Sequence, residues 1–380
     1  MDLNETRGLI DCIDQRMADL FCQRMQLAAQ VARYKKEHGL PVLNAARERE
    51  ILASLSQRCG DELSSYAQVL YSTMFDVSRS YQRSLMAEDS PLGQSIDQAL
   101  ASTAPRFPDK AVVACQGVEG AYSQLACDRL FRTPSIVYFR GFDGVFGAVA
   151  GGLCRYGILP IENSSAGSVT AVYDLMRKYN FHIVRAVRLK VSHNLLARPG
   201  ARVEDIREIV SHEQALSQCA GLLAGMPEVK VTVCENTAAA ARAVAESGRT
   251  DLAALSSREC AGLYGLEVLR AGVQDSDSNY TRFICIAREA EIYPGAGKIS
   301  LMLTLPHRPG ELYRLITRFA CLGLNLTKLE SRPIPGSDFE FRFYFDLEGW
   351  VGDPAVRALL CALQQEMDEF VFLGNYAEAL

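Results

Sequence analysis

The sequence predicts a multidomain chain that is all-α at its start, α/β in its middle and α+β at its end. Three changes of apolar periodicity carry that prediction. Residues 4–86 place apolar side chains at three- and four-residue steps, and residues 111–290 alternate short apolar runs with helical patterns. Residues 298–380 read strand, helix, strand, strand, helix, strand. The 380 residues suffice for two or three domains with sizeable cores.

In the first segment, taken as residues 1–86, Ile10, Ile13, Met17, Leu20, Phe21, Ala28 and Val31 form the stripe of an amphipathic helix. It runs from about Asn4 to Glu37 and stops at His38-Gly39-Leu40-Pro41. Its length, about 50 Å at 1.5 Å per residue, is too great for a lone small unit. A partner chain's copy is expected alongside it. Two shorter helices follow near 45–58 and 62–85. Residues 87–109 turn to Ser, Pro, Gly and Gln without periodicity, the composition of a linker.

The middle segment, 110–290, offers strands at Ala111–Ala114, Ile158–Ile161, Ile209–Val210, Val229–Val233 and Asp251–Leu255. Helices such as 238–247 separate them, so the sheets should be largely parallel, with ligands at strand ends or between lobes. The last segment should place strands at 299–305, 325–331, 339–347 and 370–373, with helices at 311–321 and 354–367. That order, βαββαβ, is the ferredoxin-like motif.

A net charge of −5 argues against general binding to nucleic acid or a membrane surface, so attraction for an anion must be local. Twelve cysteines without a Cys-x-x-Cys pair, beside five dispersed histidines, read as reduced cytoplasmic thiols with no metal site. The polar, charged beginning is not a secretory signal, and no apolar run reaches the ~18 residues of a membrane span.

Two polar knots stand out. Glu162-Asn163-Ser164-Ser165-Ala166-Gly167-Ser168 lies between the strand at 158–161 and a helix at 169–178. It should offer hydroxyls, an amide and unpaired N–H groups to an anion. Asn279-Tyr280-Thr281-Arg282-Phe283 is expected just before the strand Ile284–Ala287, adding a cation and a hydroxyl. Brought together, they fit a small acid. In the helical segment Arg24 and Lys35, eleven residues apart, share a face. Their separation along the axis is roughly 16 Å, whereas Arg7 lies about 25 Å from Arg24. Ser78 and Gln82 form an i, i+4 pair, and Arg47-Glu48 opens the second helix. By pattern alone these charges read as a solvated face, and Thr281-Arg282-Phe283 as a strand start with a surface arginine.

Taken as a set, Arg7, Arg24, Lys35, Arg47, Glu48, Ser78 and Gln82, with Pro41-Val42 between, resemble the all-helical chorismate mutase family over residues 3–86. The resemblance implies chorismate in a pocket shared by two intertwined chains, with Arg7 serving the partner's pocket. Arg7, Arg24 and Arg47 would grip carboxylates, Lys35 and Gln82 the ether oxygen, and Glu48 the ring hydroxyl. Ser78 would complete the pocket. Asn44 stands where the family more often has Asp.

Gln116–Ser123, Pro160–Asn163, Ser211-His212-Glu213-Gln214, Gln218-Cys219, Glu235, Thr237, Leu263–Leu266 and Asn279–Phe283 resemble the prephenate dehydratase family over about 111–288. Glu213 replaces a frequent Pro. The resemblance implies two lobes like those of periplasmic solute-binding proteins, with prephenate in the cleft. Thr281 would meet the leaving hydroxyl, with Glu162 or His212 as the source of its proton. Asn163, Ser164, Gln218 and the Gly167-Ser168 backbone would orient the substrate, while Arg282 holds a carboxylate or braces the cleft. His182 and His193 read as packing or solvated residues, and Cys219 as space-filling.

Pro309-Gly310-Glu311-Leu312 and the run Asn325 to Pro333 resemble the amino-acid-binding ACT domain over 298–380. Phenylalanine is then expected between two such domains, near Gly310, Glu311, Leu312, Asn325, Leu326, Glu330, Ser331 and Arg332. Glu311 replaces the usual Ala. A homodimer or higher oligomer follows, acting on chorismate and prephenate without a cofactor. The alternatives are a dehydratase preferring arogenate and a non-catalytic amino-acid-responsive regulator.

Overall fold

The computed structural model describes residues 2–86, 90–334, 336 and 340–379. The chain divides into two compact units, 1–98 with 301–371 and 99–300 with 372–380. In the first, helix α1 spans Leu3–Glu37 and α2 spans Ala45–Met86. Gly39, at φ 62°, turns the chain out of α1 while Leu40 N–H returns to Lys35 O at 2.9 Å, so carbonyls at the helix end are satisfied. Asn44 Oδ1 accepts from Arg47 N–H at 3.1 Å and caps α2. Gly60 breaks α2 with φ 68° and ψ 170°, separating the two helices the pattern predicted.

The two helices pack through small residues: Ala28 and Ala32 are buried on α1, opposite Phe75, Ser78 and Gln82 of α2. Much of the apolar stripe stays uncovered. Leu9, Ile10, Ile13, Met17, Leu20 and Leu27 are all at least half exposed in the single chain.

The stretch read as a linker carries a helix, α3, Pro91–Ser102. Leu92, Ile96 and Ala99 are buried along one face, a period that the surrounding Ser and Gln concealed. Residues 87–89 lie outside the described residues.

The second unit holds two sheets. The first contains β1 (Val112–Gln116), β2 (Ser135–Phe139), β3 (Tyr156–Asn163), the short β4 (Gly167–Ser168) and β5 (His182–Lys190). The second contains β6 (Asn194–Ala197), β7 (Glu208–Ser211), β8 (Lys230–Val233), β9 (Leu252–Ser256) and β10 (Glu267–Arg270). The chain then returns to the first sheet as β11, Tyr280–Ala287. Strand orders are β5-β11-β3-β1-β2 and β10-β6-β9-β7-β8. Strands β1, β2 and β3 run parallel, while β11 is antiparallel to both β3 and β5. This is the mixed-sheet, two-lobed form of the expected α/β architecture. The knot at 279–283 lies largely within β11, not before it.

The last segment runs β12 (Lys298–Thr304), α11 (Glu311–Cys321), β13 (Asn325–Pro333), β14 (Phe341–Glu348), α12 (Pro354–Glu366) and β15 (Phe370–Ala379). Its strand order is β13-β14-β12-β15, with β13 at the edge. Phe339, the expected start of β14, lies outside the described residues. Beyond the expected end of the last strand, Ala377–Ala379 pair in parallel with Arg185–Val187 of β5.

Gly157 is a tight point of the first sheet, because a Cβ there would lie 2.7 Å from Val145 Cγ1 and 3.1 Å from Ile286 Cγ1. Gly157→Ala should cost about 1–3 kcal/mol through overpacking, seen as a lower urea midpoint at unchanged denaturant slope.

Candidate active sites

A cavity of about 270 Å³ opens between α1 and α2. Arg24 and Lys35 reach it from α1, and Asn44 from the turn. Arg47, Glu48, Ser78 and Gln82 line it from α2, with Arg79 among them. Seven of the eight residues expected here therefore meet within one chain: Arg24, Lys35, Asn44, Arg47, Glu48, Ser78 and Gln82. Arg7 does not. The aliphatic step pattern explains this, since Arg7 sits far along the straight α1.

The pocket gathers cationic and amide donors, which suit an anion. Lys35 Nζ donates to Val42 O at 2.5 Å, and burial lowers its pKa while Glu48 opposes the shift. Arg24 lies 5.7 Å from the Phe75 ring centre, with a buried Nη1 that has no partner among the described residues. Gln82 Nε2 donates to Ser78 Oγ at 3.3 Å, leaving Gln82 Oε1 buried and unpartnered. Arg79 pairs with both Glu48 and Asp76, so it holds the Glu48 carboxylate in place. Sequence reasoning missed Arg79; the signal was available, since it adjoins Ser78. Two expected residues have other work as well. Asn44 caps α2 through its side-chain oxygen, and Arg47 pairs with exposed Glu50 at 2.6 Å.

A second cavity, about 380 Å³, lies between the two sheets of the other unit. Its polar lining includes Gln116, Asn163, His193, His212, Gln218, Glu235 and Thr281. Strand pairing selects among the expected residues. In the β3–β11 register Thr281 opposes Asn163, and Arg282 opposes Glu162. Alternate side chains of a strand leave on opposite faces, so Thr281 and Asn163 share the cleft face while Arg282 and Glu162 face the other way. Arg282 Nε lies 3.1 Å from Glu162 Oε1, with Arg282 only 4% exposed. The pair therefore braces the strands and does not line the cleft.

The polar loop is likewise not an open anion cradle. Asn163 Oδ1 accepts from Ser165 N–H at 3.0 Å and Ala166 N–H at 2.9 Å. Ser164 N–H donates to Tyr280 O at 2.8 Å, and Ser164 Oγ to Ser278 O at 2.8 Å. Gly167 and Ser168 pair with β3 as a short hairpin strand. Local partners consume these groups, so Ser164, Gly167 and Ser168 shape the loop from outside the cavity lining.

With its oxygen fixed by backbone donors, Asn163 can turn only its amide nitrogen toward the cleft. Nδ2 donates to Asn279 Oδ1 at 2.8 Å and to Thr281 Oγ1 at 2.9 Å. Since Thr281 oxygen accepts, its hydroxyl proton is left for another acceptor. Asn279 Nδ2 passes the chain on to Gln218 Oε1 at 2.9 Å. His212 caps a short helix, its Nδ1 accepting from Gln214 N–H at 3.2 Å, so its Nε2 carries the proton in the neutral ring. His193, expected as packing, lines the cleft with Nε2 3.0 Å from Gln218 Oε1, and burial lowers its pKa. A lone histidine before an apolar strand gave no sign of this. Cys219 is fully buried next to Gln218 and fills space.

In the last segment Gly310, at φ 86°, caps α11, and Glu311 pairs with Arg314 at 3.0 Å. On β13, Glu330 lies 2.7 Å from Arg332, Ser331 is exposed, and Asn325 donates to Glu348 at 2.9 Å. Leu312 and Leu326 are half-buried.

Family comparison agrees with this geometry. The chorismate mutase type II family matches residues 6–83, and the prephenate dehydratase family matches residues 113–291. A bifunctional chorismate mutase/prephenate dehydratase of Enterobacter agglomerans is 31% identical over 97% of this chain and 94% of its own. Arogenate dehydratase/prephenate dehydratase 2 of Arabidopsis thaliana is 38% identical over 70% of this chain and 72% of its own. The structure of prephenate dehydratase from Arthrobacter aurescens in complex with L-Phe is similar at 29% identity and a TM-score of 0.64, covering 70% of this chain and 90% of that one. With a mutase pocket on its helices and a dehydratase cleft between its sheets, the chain belongs to the bifunctional chorismate mutase/prephenate dehydratase family.

Proposed function

We propose that this chain rearranges chorismate to prephenate in the helical pocket and converts prephenate to phenylpyruvate in the α/β cleft, under feedback by phenylalanine. The observation that carries the second step is the hydrogen-bond direction at Thr281. Loss of the ring carboxylate as carbon dioxide sends the C–C bond electrons into the ring and expels the ring hydroxyl. That hydroxyl must take up a proton to leave as water. Thr281 accepts from Asn163 and so has its own proton to offer. Glu162 lies on the far face, which leaves His212, in the same cleft, to replenish it. General-acid help of this kind is worth ~10²–10⁴ in rate.

The first step needs no proton transfer. Arg24 and Arg47 hold carboxylates of the compact dianion, while Lys35 and Gln82 favour charge on the breaking ether oxygen. Glu48, steadied by Arg79, meets the ring hydroxyl, with Asn44 and Ser78 completing the wall.

The exposed apolar stripe of α1 is far longer than a solvated helix carries, which supports a homodimer in which Arg7 enters the partner's pocket. The position of β13 at the end of its strand order supports a second contact between copies, in an ACT-like domain at 298–380. Phenylalanine would sit there near Gly310, Glu311, Leu312, Asn325, Leu326, Glu330, Ser331 and Arg332. Twelve free thiols accord with a reducing, cytoplasmic setting.

Arogenate remains a second reading for the cleft. Glu235 lines it, and a carboxylate suits the ammonium that arogenate carries in place of the keto group. Competition between the two substrates at equal concentration decides the preference.

Fed with chorismate, the wild-type protein should release phenylpyruvate. Thr281→Val should instead accumulate prephenate, with dehydratase kcat down ~10²-fold or more and mutase turnover unchanged. Phenylpyruvate production near the wild-type rate from Thr281→Val would remove Thr281 from the chemistry. Arg7→Ala and Lys35→Ala chains should each lack mutase activity, and mixing them should restore about a quarter of it, because half the dimers are mixed and each holds one intact pocket. No recovery on mixing would place Arg7 outside the shared site. Phenylalanine should lower dehydratase turnover with a sigmoidal response, and Ser331→Trp on β13 should blunt that response.

A further inference from the structure

We propose that His193 is a positioning residue of the dehydratase site: as the Nε2–H tautomer it fixes the Gln218 carboxamide, so that the Gln218 amide nitrogen is the group presented to an oxygen of the substrate. The inference rests on the dehydratase reading of the cleft and follows from donor and acceptor bookkeeping along one buried chain.

The chain begins at the backbone. The amides of Ser165 and Ala166 can only donate, so Asn163 must point its oxygen at them and its nitrogen at Asn279. Asn279 must then accept with its oxygen and donate with its nitrogen to Gln218 Oε1. Gln218 Oε1 is thereby an acceptor, and His193 Nε2, 3.0 Å from the same atom, must carry a hydrogen. Every orientation from Asn163 to His193 is thus set by two backbone N–H groups. No member can flip alone without placing two donors, or two acceptors, face to face.

His193 is suited to close this chain. It is 3% exposed, and Asn279 is 2% exposed, so water competes little for their hydrogen bonds. Its backbone is pinned on both sides: His193 N–H donates to Gln274 Oε1 at 2.9 Å, and its carbonyl accepts from Val273 N–H at 2.9 Å. The preceding residue is held as well, since Tyr122 OH donates to Ser192 O at 2.8 Å. His193 Nδ1 has no partner among the described residues. A second proton there would add a buried charge without an acceptor, and burial accordingly lowers the ring's pKa. With Gln218 Oε1 already holding two donors, the Nε2 amide of Gln218 is left for the cleft, where prephenate offers carboxylate and keto oxygens.

The test compares His193→Gln, His193→Asn and His193→Leu in the full-length protein, with mutase turnover on the same polypeptide as the measure of folded enzyme. A glutamine amide can place an N–H where Nε2 stands; asparagine is too short, and leucine has no donor. Dehydratase kcat/KM should fall roughly tenfold or more in the Asn and Leu variants, the scale of one buried hydrogen bond left unmade. The Gln variant should recover to within a few-fold of wild type, with an unchanged pH profile. Nitrogen-15 NMR of the histidine-labelled protein should show His193 as the Nε2–H tautomer. Three results overturn the proposal: Leu or Asn variants within about twofold of wild type, an Nδ1–H tautomer, or a Gln variant as impaired as Leu that also loses an ionisation from its pH profile. The last would make His193 a proton donor. If the His193→Leu chain does not fold, as lost mutase turnover would show, the Gln–Asn comparison and the tautomer decide alone. Wild-type protein with no dehydratase turnover at all would instead sink the reading of the cleft, a result distinct from these.

Discussion

Pleating between two antiparallel strands governs the dehydratase half of this protein. In β3 and β11, consecutive residues Glu162-Asn163 face consecutive residues Arg282-Thr281. Each strand sends its polar neighbours to opposite faces, and one register therefore sorts four polar residues into two jobs. The ion pair goes to the structural face, where Arg282 is nearly inaccessible. The amide and the hydroxyl go to the cleft. A slip of one residue would exchange these roles, putting a guanidinium where the Thr281 hydroxyl now stands. The buried residues around the sheet, including Ile158, Val187, Phe283 and Cys285, penalise such a slip because both faces are buried along β11 and it would exchange their packing. Core packing and catalytic geometry thus impose the same register.

The helical half solves a different problem. Its reaction is a rearrangement within one dianion, so the protein supplies a fixed arrangement of charge in place of proton relays. Cationic side chains held near one another repel, while burial strips hydration from Lys35 and so lowers its pKa, a shift that Glu48 opposes. Glu48 and Asp76, with Arg79 between them, offset part of that repulsion. The substrate's two carboxylates would complete the neutralisation, so affinity and charge balance are one and the same effect.

Periodicity made the architecture legible. The long helix, the alternating middle and the βαββαβ end were all readable from apolar spacing, and Gly39 and Gly60 end helices where a left-handed residue is needed. The helix at 91–102 was hidden because only four of its residues, Leu92, Gly93, Ile96 and Ala99, are buried and the rest resemble a solvated tether. At the sites, helical spacing put Arg24 with Lys35 and Ser78 with Gln82 on shared faces and left Arg7 apart, but by pattern alone these charges read as a solvated face; the full set was legible only through the family resemblance. Glu162 and Arg282 were misplaced in the cleft because facing depends on strand bounds, and β11 begins earlier than its apolar run. The loop N–H groups, expected to be free, are taken by the side chain of Asn163, a contact over two and three residues that composition does not reveal. His193 and Gln218 meet only through the tertiary fold, 25 residues apart.

The outer strand β13 has an implication for solution behaviour. Among the described residues its nine residues lie at the end of the strand order, beside β14, the kind of border onto which another strand could add. Along that strand Lys328, Glu330 and Arg332 alternate in sign and pair with one another, at 3.4 Å and 2.7 Å, so a strand added beside them must avoid setting like charge against like. A twofold-related copy running antiparallel can meet that demand, whereas a stacked, in-register array cannot. The same residues therefore favour closure into a finite assembly and discourage fibre growth.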